Sequence, residues 1–257
     1  VLLKTIKVKK NMINKFNKEL DMALRSFIKE PDNFLNSLTL VNSLHSFPVL
    51  ASDQPYAIAL DGQKVTPVCT DTEDLKLFKA QQTSARKQNW VERPSLDILE
   101  EVIVNRLNGI VYNIKRTGDF GNSTIFKSNE LVQFINNYTV ILNTVFNEAN
   151  QEADILDKYY LVPAFIHPKD NDDFDKGFPT MSNSDGESYV PIFSNLPSFV
   201  KWYHDKEFGL PFREAQGVIM TWKIADIQES ETKASTLGVV INPFDDKQIV
   251  VEWSGME

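Results

Sequence analysis

Residues 185–194 read Asp-Gly-Glu-Ser-Tyr-Val-Pro-Ile-Phe-Ser, and residues 61–70 read Asp-Gly-Gln-Lys-Val-Thr-Pro-Val-Cys-Thr. In both stretches an Asp-Gly pair precedes a short apolar run that has a proline at the same place. Asp-Gly favours a tight hairpin turn, because both residues tolerate the positive φ that such a turn needs. Each stretch therefore predicts a strand that follows a hairpin turn.

The two stretches belong to a longer internal repeat. A shift of 124 residues aligns similar residues of 61–78 and 185–202, and a shift of 129 residues does the same for 97–113 and 226–242. The shift changes between the two blocks, as loops of different length require. This pattern indicates a tandem duplication, with the join between about residues 114 and 130.

Helical and strand periodicity alternate in both copies, so the predicted fold class is α+β. We expect a tandem pair of related modules, each a small mixed sheet with helices packed on it, plus an N-terminal amphipathic helix. The predicted domains are a basic helix at 1–30, a diverged module at 31–127 and a second module at 128–257. Residues 81–88 and 167–184 are expected to be loops.

The N-terminal segment combines a positive charge with one apolar stripe. Residues 1–29 carry eight Lys and Arg against two Asp and Glu, a net charge of +6. Apolar side chains recur every three or four residues from about Asn11 to Ile28, which predicts an amphipathic helix. Such a helix can lie on an anionic membrane, but most such stripes dock on their own domain. We expect residues 1–29 to be buried on one face against the first module. The members of the stripe are Ile13, Phe16, Leu20, Leu24 and Phe27.

Composition sets the broad class of the protein. The chain has 257 residues, 42% hydrophobic, with one cysteine, which excludes a collagen-like chain and a disulfide framework. No run approaches the roughly 20 apolar residues that span a bilayer, and the first residues do not resemble a secretory signal. We expect a cytoplasmic protein without stable membrane insertion.

The second half of the chain is acidic. Residues 145–257 carry nine Lys and Arg against twenty Asp and Glu, a net charge of −11. Such a surface repels phosphate groups, which argues against nucleic acid as a partner. A protein partner should be neutral or basic.

Residues with recognisable chemistry do not form a known catalytic or ligand-binding pattern. Cys69 lies in a predicted strand and is expected to be a buried apolar residue. The acidic run Asp170–Asp175 does not have the spacing of an EF-hand. Nucleotide-binding, zinc and redox motifs are absent from the sequence. We therefore predict no catalytic residue, no metal site and no cofactor.

The second copy resembles a known family. Tyr160-Leu-Val-Pro163, the stretch 185–194, the aromatic helix 196–203 and Leu237-Gly-Val-Val-Ile-Asn-Pro243 are similar to the SseB-like family (SseB protein N-terminal domain). The resemblance covers about residues 159–251, and residues 47–114 only as a diverged copy. It implies a bacterial cytoplasmic protein without an established enzymatic activity.

These observations favour a non-enzymatic protein that binds a protein partner through its acidic, aromatic-rich second module. One alternative is an enzyme or ligand-binding protein with a small-molecule site between the modules. Another is an immunity or chaperone-like protein that neutralises a basic toxin or effector. Asn242 precedes a proline, so it is also typical of a turn. The candidate partner-binding residues are Asp185, Glu187, Trp202, Tyr203 and Asn242.

Overall fold

The computed structural model describes residues 18–168, 174–231 and 236–256. The chain divides into two compact units, Val1–Tyr138 (unit 1) and Thr139–Glu257 (unit 2). The division falls inside one helix, α6 (Ser128–Val145). The helix begins at Ser128, which is the first residue of the predicted second module.

Unit 1 begins with two helices, which are followed by two sheets and three further helices. The helices α1 and α2 precede a pair of antiparallel strands, β1 and β4, and a four-stranded sheet in the order β2-β3-β5-β6. In this sheet β3 and β5 are parallel, and the outer strands are antiparallel to them. The elements are α1 (Lys18–Lys29), α2 (Phe34–Ser46), β1 (Pro48–Ser52), β2 (Ile58–Leu60), β3 (Gln63–Val68), α3 (Thr72–Gln81), α4 (Thr83–Arg86), β4 (Trp90–Pro94), α5 (Ser95–Val104), β5 (Gly109–Tyr112) and β6 (Thr124–Lys127).

Unit 2 repeats most of this arrangement and has an additional strand, β8, which pairs with β7. The strand β7 pairs with β11 as β1 pairs with β4, and a four-stranded sheet has the order β9-β10-β12-β13 with a parallel central pair. The elements are α7 (Glu148–Glu152), β7 (Tyr160–Pro168), β8 (Phe174–Gly177), β9 (Met181–Ser182), β10 (Ser188–Ile192), α8 (Leu196–His204), α9 (Gly209–Glu214), β11 (Val218–Trp222), α10 (Ile224–Ser230), β12 (Gly238–Ile241) and β13 (Ile249–Glu252).

The correspondence between the units extends to single bridges. Leu50 pairs with Cys69 through two backbone hydrogen bonds, and Leu161 pairs with Phe193 in the same way. Gly109 and Gly238 begin the equivalent strands β5 and β12. The predicted α+β fold class, with small mixed sheets and packed helices, is confirmed.

Four strands escaped the sequence prediction. The strands β8 and β9 lie in the region expected to be a loop, although residues 169–173 of that acidic run lie outside the described residues. The strands β4 and β6 contain charged residues and are short, so their alternation is weak. They are strands because β1 and β5 offer them a ladder of backbone hydrogen bonds, which is tertiary information.

The N-terminal helix packs on unit 1 through its apolar stripe. Leu20 and Leu24 are fully buried, and the ring of Phe27 lies 5.8 Å from that of Phe126 on β6. Lys18 and Lys29 are exposed. The expected amphipathic helix is thus confirmed over residues 18–29, and its predicted residues 11–17 lie outside the described part of the chain. Within that part, no helix is long and apolar enough to cross a membrane.

Candidate functional site

The two aromatic candidates are core residues. Trp202 is fully buried on α8, where its ring lies 5.5 Å from Phe193 and 5.2 Å from Phe212. Tyr203 is also buried, beside Phe199. The expectation that Trp202 and Tyr203 contact a partner is therefore corrected. These large rings fill the space between α8 and the sheet, where burial of apolar area stabilises the unit.

The two acidic candidates lie in the turn between β9 and β10. The side chain of Asn183 accepts hydrogen bonds from the backbone N–H groups of Asp185 and Glu187. The Glu187 carboxylate accepts from the Asn183 amide and from the Tyr189 hydroxyl. Both acidic residues are exposed, and the turn itself accounts for the contacts of Glu187.

Asn242 has a structural role that it shares with Asn113. Both residues follow the second parallel strand of their sheet and have a left-handed φ, 51° and 50°. Asn242 accepts a hydrogen bond from the Ser194 N–H at 2.9 Å and donates to the Ser194 hydroxyl at 2.8 Å. Asn113 makes the same pair of bonds with Thr70, at 2.7 and 2.9 Å. Each asparagine thus joins the ends of two parallel strands.

The predicted polar residues of unit 2 are not brought together. The strand β10 is parallel to β12, Glu187 precedes β10, and Asn242 follows β12. The two side chains therefore lie at opposite ends of the sheet, separated by the length of a five-residue strand, about 16 Å. The carboxylate of Asp226 accepts a hydrogen bond from the Lys223 N–H at the start of α10.

Unit 1 contains a buried polar cluster that the sequence did not reveal. It lies where β3 and β5 end and α3 begins, and it ties α1 to the sheet. The Asn122 amide donates to Asp21 on α1 at 2.6 Å and to Asp74 on α3 at 2.8 Å. The Lys115 ammonium donates to Asp74 and to the Asn122 carbonyl oxygen. The cluster consists of Asp21, Thr70, Asp74, Asn113, Lys115 and Asn122.

Three carboxylates at this cluster have the spacing of metal ligands. One oxygen each of Asp21, Asp71 and Asp74 lies within 4.8 Å of the others, and oxygen donors suit a hard divalent cation. Each carboxylate already accepts hydrogen bonds: Asp21 from Arg25, Asp74 from Lys115, and Asp71 from the backbone N–H of Asp74. A cation would compete with two bound side-chain cations, so the geometry supports a structural role.

At this cluster the pKa of Asp21 is lowered, whereas the pKa values of the neighbouring Asp71 and Cys69 are raised. Burial opposes ionisation of Asp21, but hydrogen bonds from Asn122, Thr70 and Arg25 outweigh it and hold the pKa of this carboxyl below its ordinary value. Burial raises the pKa of Asp71. Burial, together with the charges of Asp74 and Asp71, also raises the pKa of the Cys69 thiol, which keeps it protonated. Cys69 is fully buried, as expected of an apolar core residue.

The surface of unit 2 presents an apolar groove of about 450 Å³ beside β13. Its exposed apolar side chains include Leu156 at 48% exposure, Val250 at 46% and Ile249 at 43%. The clustering of these exposed apolar side chains makes the surface a candidate interaction site. We call this feature the β13 groove; its lining consists of Ile155, Leu156, Ile249, Val250, Val251, Glu252, Ser254, Gly255 and Met256.

One edge of the groove is formed by an outer strand. Within the described residues, β13 is the last strand of its sheet and pairs only with β12. The Trp253 N–H donates to Leu237, and the antiparallel ladder alternates from there. The backbone groups of Val251 and Ile249 therefore face β12, whereas those of Val250 and Glu252 point outward.

The unit that carries this groove has a negative net charge. Unit 2 carries nine Lys and Arg against twenty Asp and Glu, a net charge of −11, and unit 1 carries eighteen against fifteen, a net charge of +3. Asp154 precedes Ile155 in the chain and Glu252 ends β13. Asp157 follows Leu156, and its carboxylate lies 3.7 Å from the Lys223 ammonium. An apolar surface with an acidic border favours a basic or neutral ligand.

The sequence predicted β13 but not the groove. An edge position cannot be read from one strand, because it depends on what else pairs in the sheet. Ile155 and Leu156 lie between predicted elements. Two adjacent apolar residues outside any predicted helix or strand were the available sequence signal, and the structure shows that both are exposed.

A comparison with known families agrees with the resemblance seen at residues 159–251. The family described as the SseB protein N-terminal domain matches residues 127–256, which include all of the groove. No curated protein matches the chain. A solved structure described as Anabaena Tic22 (protein transport) is 13% identical over 80% of this chain and 90% of that chain, with a TM-score of 0.23. A TM-score of this size does not establish a shared fold.

Proposed function

The chain belongs to the family of the SseB protein N-terminal domain, and from that premise we propose that it acts by binding another protein rather than by catalysis. The observation that carries the proposal is the β13 groove, an exposed apolar surface on a unit with a net charge of −11. The partner is neutral or basic, and it docks on unit 2. The setting that we propose is the bacterial cytoplasm.

The apolar lining supplies affinity in this proposal. Burial of exposed apolar area stabilises a complex by about 25 cal/mol for each Å² removed from water. The acidic border adds selectivity, because a basic partner is attracted over a distance and an acidic one is repelled. The aromatic rings of Trp202 and Tyr203 contribute indirectly, since they pack inside the unit that carries the groove.

Binding is favoured over catalysis by the roles of the polar residues. A catalytic site needs polar groups that converge on one place. Asp185 and Glu187 lie in a turn, Asn242 holds two strand ends, and the two sets lie at opposite ends of β10. An immunity or chaperone-like protein that neutralises a basic toxin or effector is one form of the proposed function, because it needs the same acidic docking surface.

We further propose that the two units arose by tandem duplication. The equal strand order of their four-stranded sheets and their equivalent asparagines support a common origin. In unit 1 the position equivalent to Ser198 is Asp74, and a buried polar cluster has replaced a simple hydroxyl contact to Pro243. We assign partner binding to unit 2 and a supporting role to unit 1.

Site-specific photocrosslinking tests the proposed docking surface. A photoreactive phenylalanine analogue is placed at Leu156 or, as the matched control, at Ile125 on β6, whose side chain is 41% exposed. In the cells that express the protein, we expect a discrete adduct from position 156, and we expect Ile249→Lys to abolish it. The proposal fails if position 156 forms no adduct, or if both positions form the same adducts.

A further inference from the structure

The outward edge of β13 defines how a partner can occupy the groove. A sheet edge presents unpaired backbone N–H and C=O groups, and natural proteins usually protect such an edge with lysine, proline or a bulge. The equivalent strand of unit 1, β6, ends in Lys127 and leads directly into α6. In contrast, β13 reads Ile-Val-Val-Glu and has exposed side chains at Ile249 and Val250.

We propose that a partner of this protein contributes an extended segment that adds to β13 as a fifth strand of the sheet. This inference rests on the proposed function and specifies its binding mode. The backbone groups of Val250 and Glu252 pair with the segment, and its alternate side chains enter the groove beside Ile155 and Leu156. Strand addition of this kind takes affinity from the backbone and specificity from alternate side chains.

The charges define the chemistry of the segment. Glu252 lies in β13, Asp154 precedes Ile155 in the chain, and the unit as a whole carries a net charge of −11. Apolar residues therefore alternate with Lys or Arg in the segment. A second copy of this chain is a poor occupant, because pairing β13 with β13 brings together two units of charge −11. A helix is also a poor occupant, because it satisfies its own backbone and leaves the β13 edge unpaired.

Two fluorescent peptides of identical leucine and lysine composition separate the binding modes. One peptide alternates leucine and lysine with a period of two, and the other repeats leucine with the period of a helix. Fluorescence anisotropy with the full chain at low salt measures the Kd of each peptide. We expect the alternating peptide to bind at least tenfold more tightly than the helical one.

Two changes test the backbone contacts directly. Val250→Pro removes an N–H that points away from β12, so the native ladder is kept, and N-methylation of alternate residues removes the same groups from the peptide. We expect each change to weaken binding at least tenfold. The matched substitution Ile125→Pro, at the equivalent position of β6, should leave the Kd unchanged. Circular dichroism of both proline variants checks that they remain folded.

The results of these experiments distinguish strand addition from docking in another mode and from self-association. Tighter binding of the helical peptide, or equal binding of the N-methylated peptide, overturns strand addition while the photocrosslinking result can still support docking at the groove. If the alternating peptide does not bind although Leu156 crosslinks to a partner, the binding mode is wrong and the proposed function stands. If chemical crosslinking captures a dimer joined through β13, the occupant is a second copy and the inference is overturned.

Discussion

Asn113 and Asn242 show how one residue type can fix a strand crossover. A left-handed φ is unfavourable for most L-amino acids, and asparagine tolerates it better than other side chains. In each unit the amide also accepts a hydrogen bond from the backbone N–H of the second residue after the neighbouring parallel strand, Thr70 or Ser194. The sequence paired these two asparagines by their spacing, but it left open whether Asn242 binds a ligand. The structure shows that hydrogen bonds within the chain use its side chain.

Replacement of Asn113 should be more costly than replacement of Asn242. Asn113 is fully buried and also donates to the Asn122 carbonyl, so Asn113→Ala leaves several buried groups unpaired. We expect a loss of about 3 kcal/mol in the free energy of unfolding, against about 2 kcal/mol for Asn242→Ala. Urea titration measures both. Glycine at the same positions relieves the backbone but not the hydrogen bonds, so equal stability of the glycine variants and wild type would contradict this account.

The lowered pKa of Asp21 predicts how stability depends on pH. Its pKa in the folded chain is below its value in the unfolded chain, so the ionised carboxylate stabilises the fold above about pH 4. That contribution is lost as the pH falls through the folded pKa. We expect Asp21→Asn to cost about 2 kcal/mol at pH 7, and the difference from wild type to shrink below pH 4.

The control for this prediction is Glu19→Gln, an exposed position on the same helix, which should change stability by less than about 0.5 kcal/mol. Urea unfolding at several pH values gives the comparison. A difference between Asp21→Asn and wild type that stays constant from pH 7 to pH 2 would show that the charge of Asp21 is unimportant.

Among the elements, the central strands and the longer helices were predictable, whereas β4, β6, β8, β9 and the short helix α4, in an expected loop, were not. The strands β3, β5, β10 and β12 contain short apolar runs beside turn signals, and this local pattern predicts a strand without knowledge of its neighbours. The strands β4 and β6 depend on a neighbour for their pairing, so their own sequences give a weak signal. The β13 groove was unpredictable for the same reason. It lies beside an outer strand, and the position of a strand in its sheet depends on pairing with other strands.

In both four-stranded sheets, a glycine at the start of the second parallel strand lies close to the backbone of the outer strand. A Cβ atom at Gly238 would lie 2.0 Å from the Val251 carbonyl oxygen, and one at Gly109 would lie 2.1 Å from that of Phe126. Gly238→Ala should therefore force β13 away from β12 at a cost of about 2 kcal/mol. Hydrogen exchange of the Val251 amide should accelerate, and photocrosslinking from Leu156 should fall.

Gly109→Ala is the matched control, since it disturbs β6 in unit 1 by the same contact. It should destabilise the chain to a similar extent without changing the crosslink at Leu156. If both variants lose the crosslink equally, the effect reflects global unfolding, and the special role assigned to β13 is not supported.

At the scale of the whole molecule, the charge is unequally divided. Unit 2 has a net charge of −11 and unit 1 a net charge of +3. Long-range attraction of a basic partner to unit 2 weakens with salt, since the screening length is about 10 Å at 0.1 M ionic strength. Asp21 accepts hydrogen bonds from Thr70 and Asn122 in a partly buried setting. These hydrogen bonds should therefore be less sensitive to salt than partner binding.

Deletion of residues 1–29 separates the contribution of α1 from that of the rest of the chain. Leu20 and Leu24 are fully buried in unit 1, and Asp21 joins the polar cluster. Removing them exposes the apolar surface that they cover and leaves Asn122 without one of its acceptors. We expect amides of unit 1 to lose protection in hydrogen exchange by at least tenfold, because the lost burial of two leucines alone is worth about 3 kcal/mol or more.

Unit 2 should keep its protection in the same experiment, since its core consists of its own residues, among them Tyr160, Val190, Ile227 and Val239. The double variant Leu20→Asn/Leu24→Asn retains the charge of the N-terminal segment and should reproduce the effect, which distinguishes lost burial from lost charge. Equal loss of protection in residues 31–138 and 139–257 would contradict this prediction, because it would mean that the two units unfold as one cooperative structure.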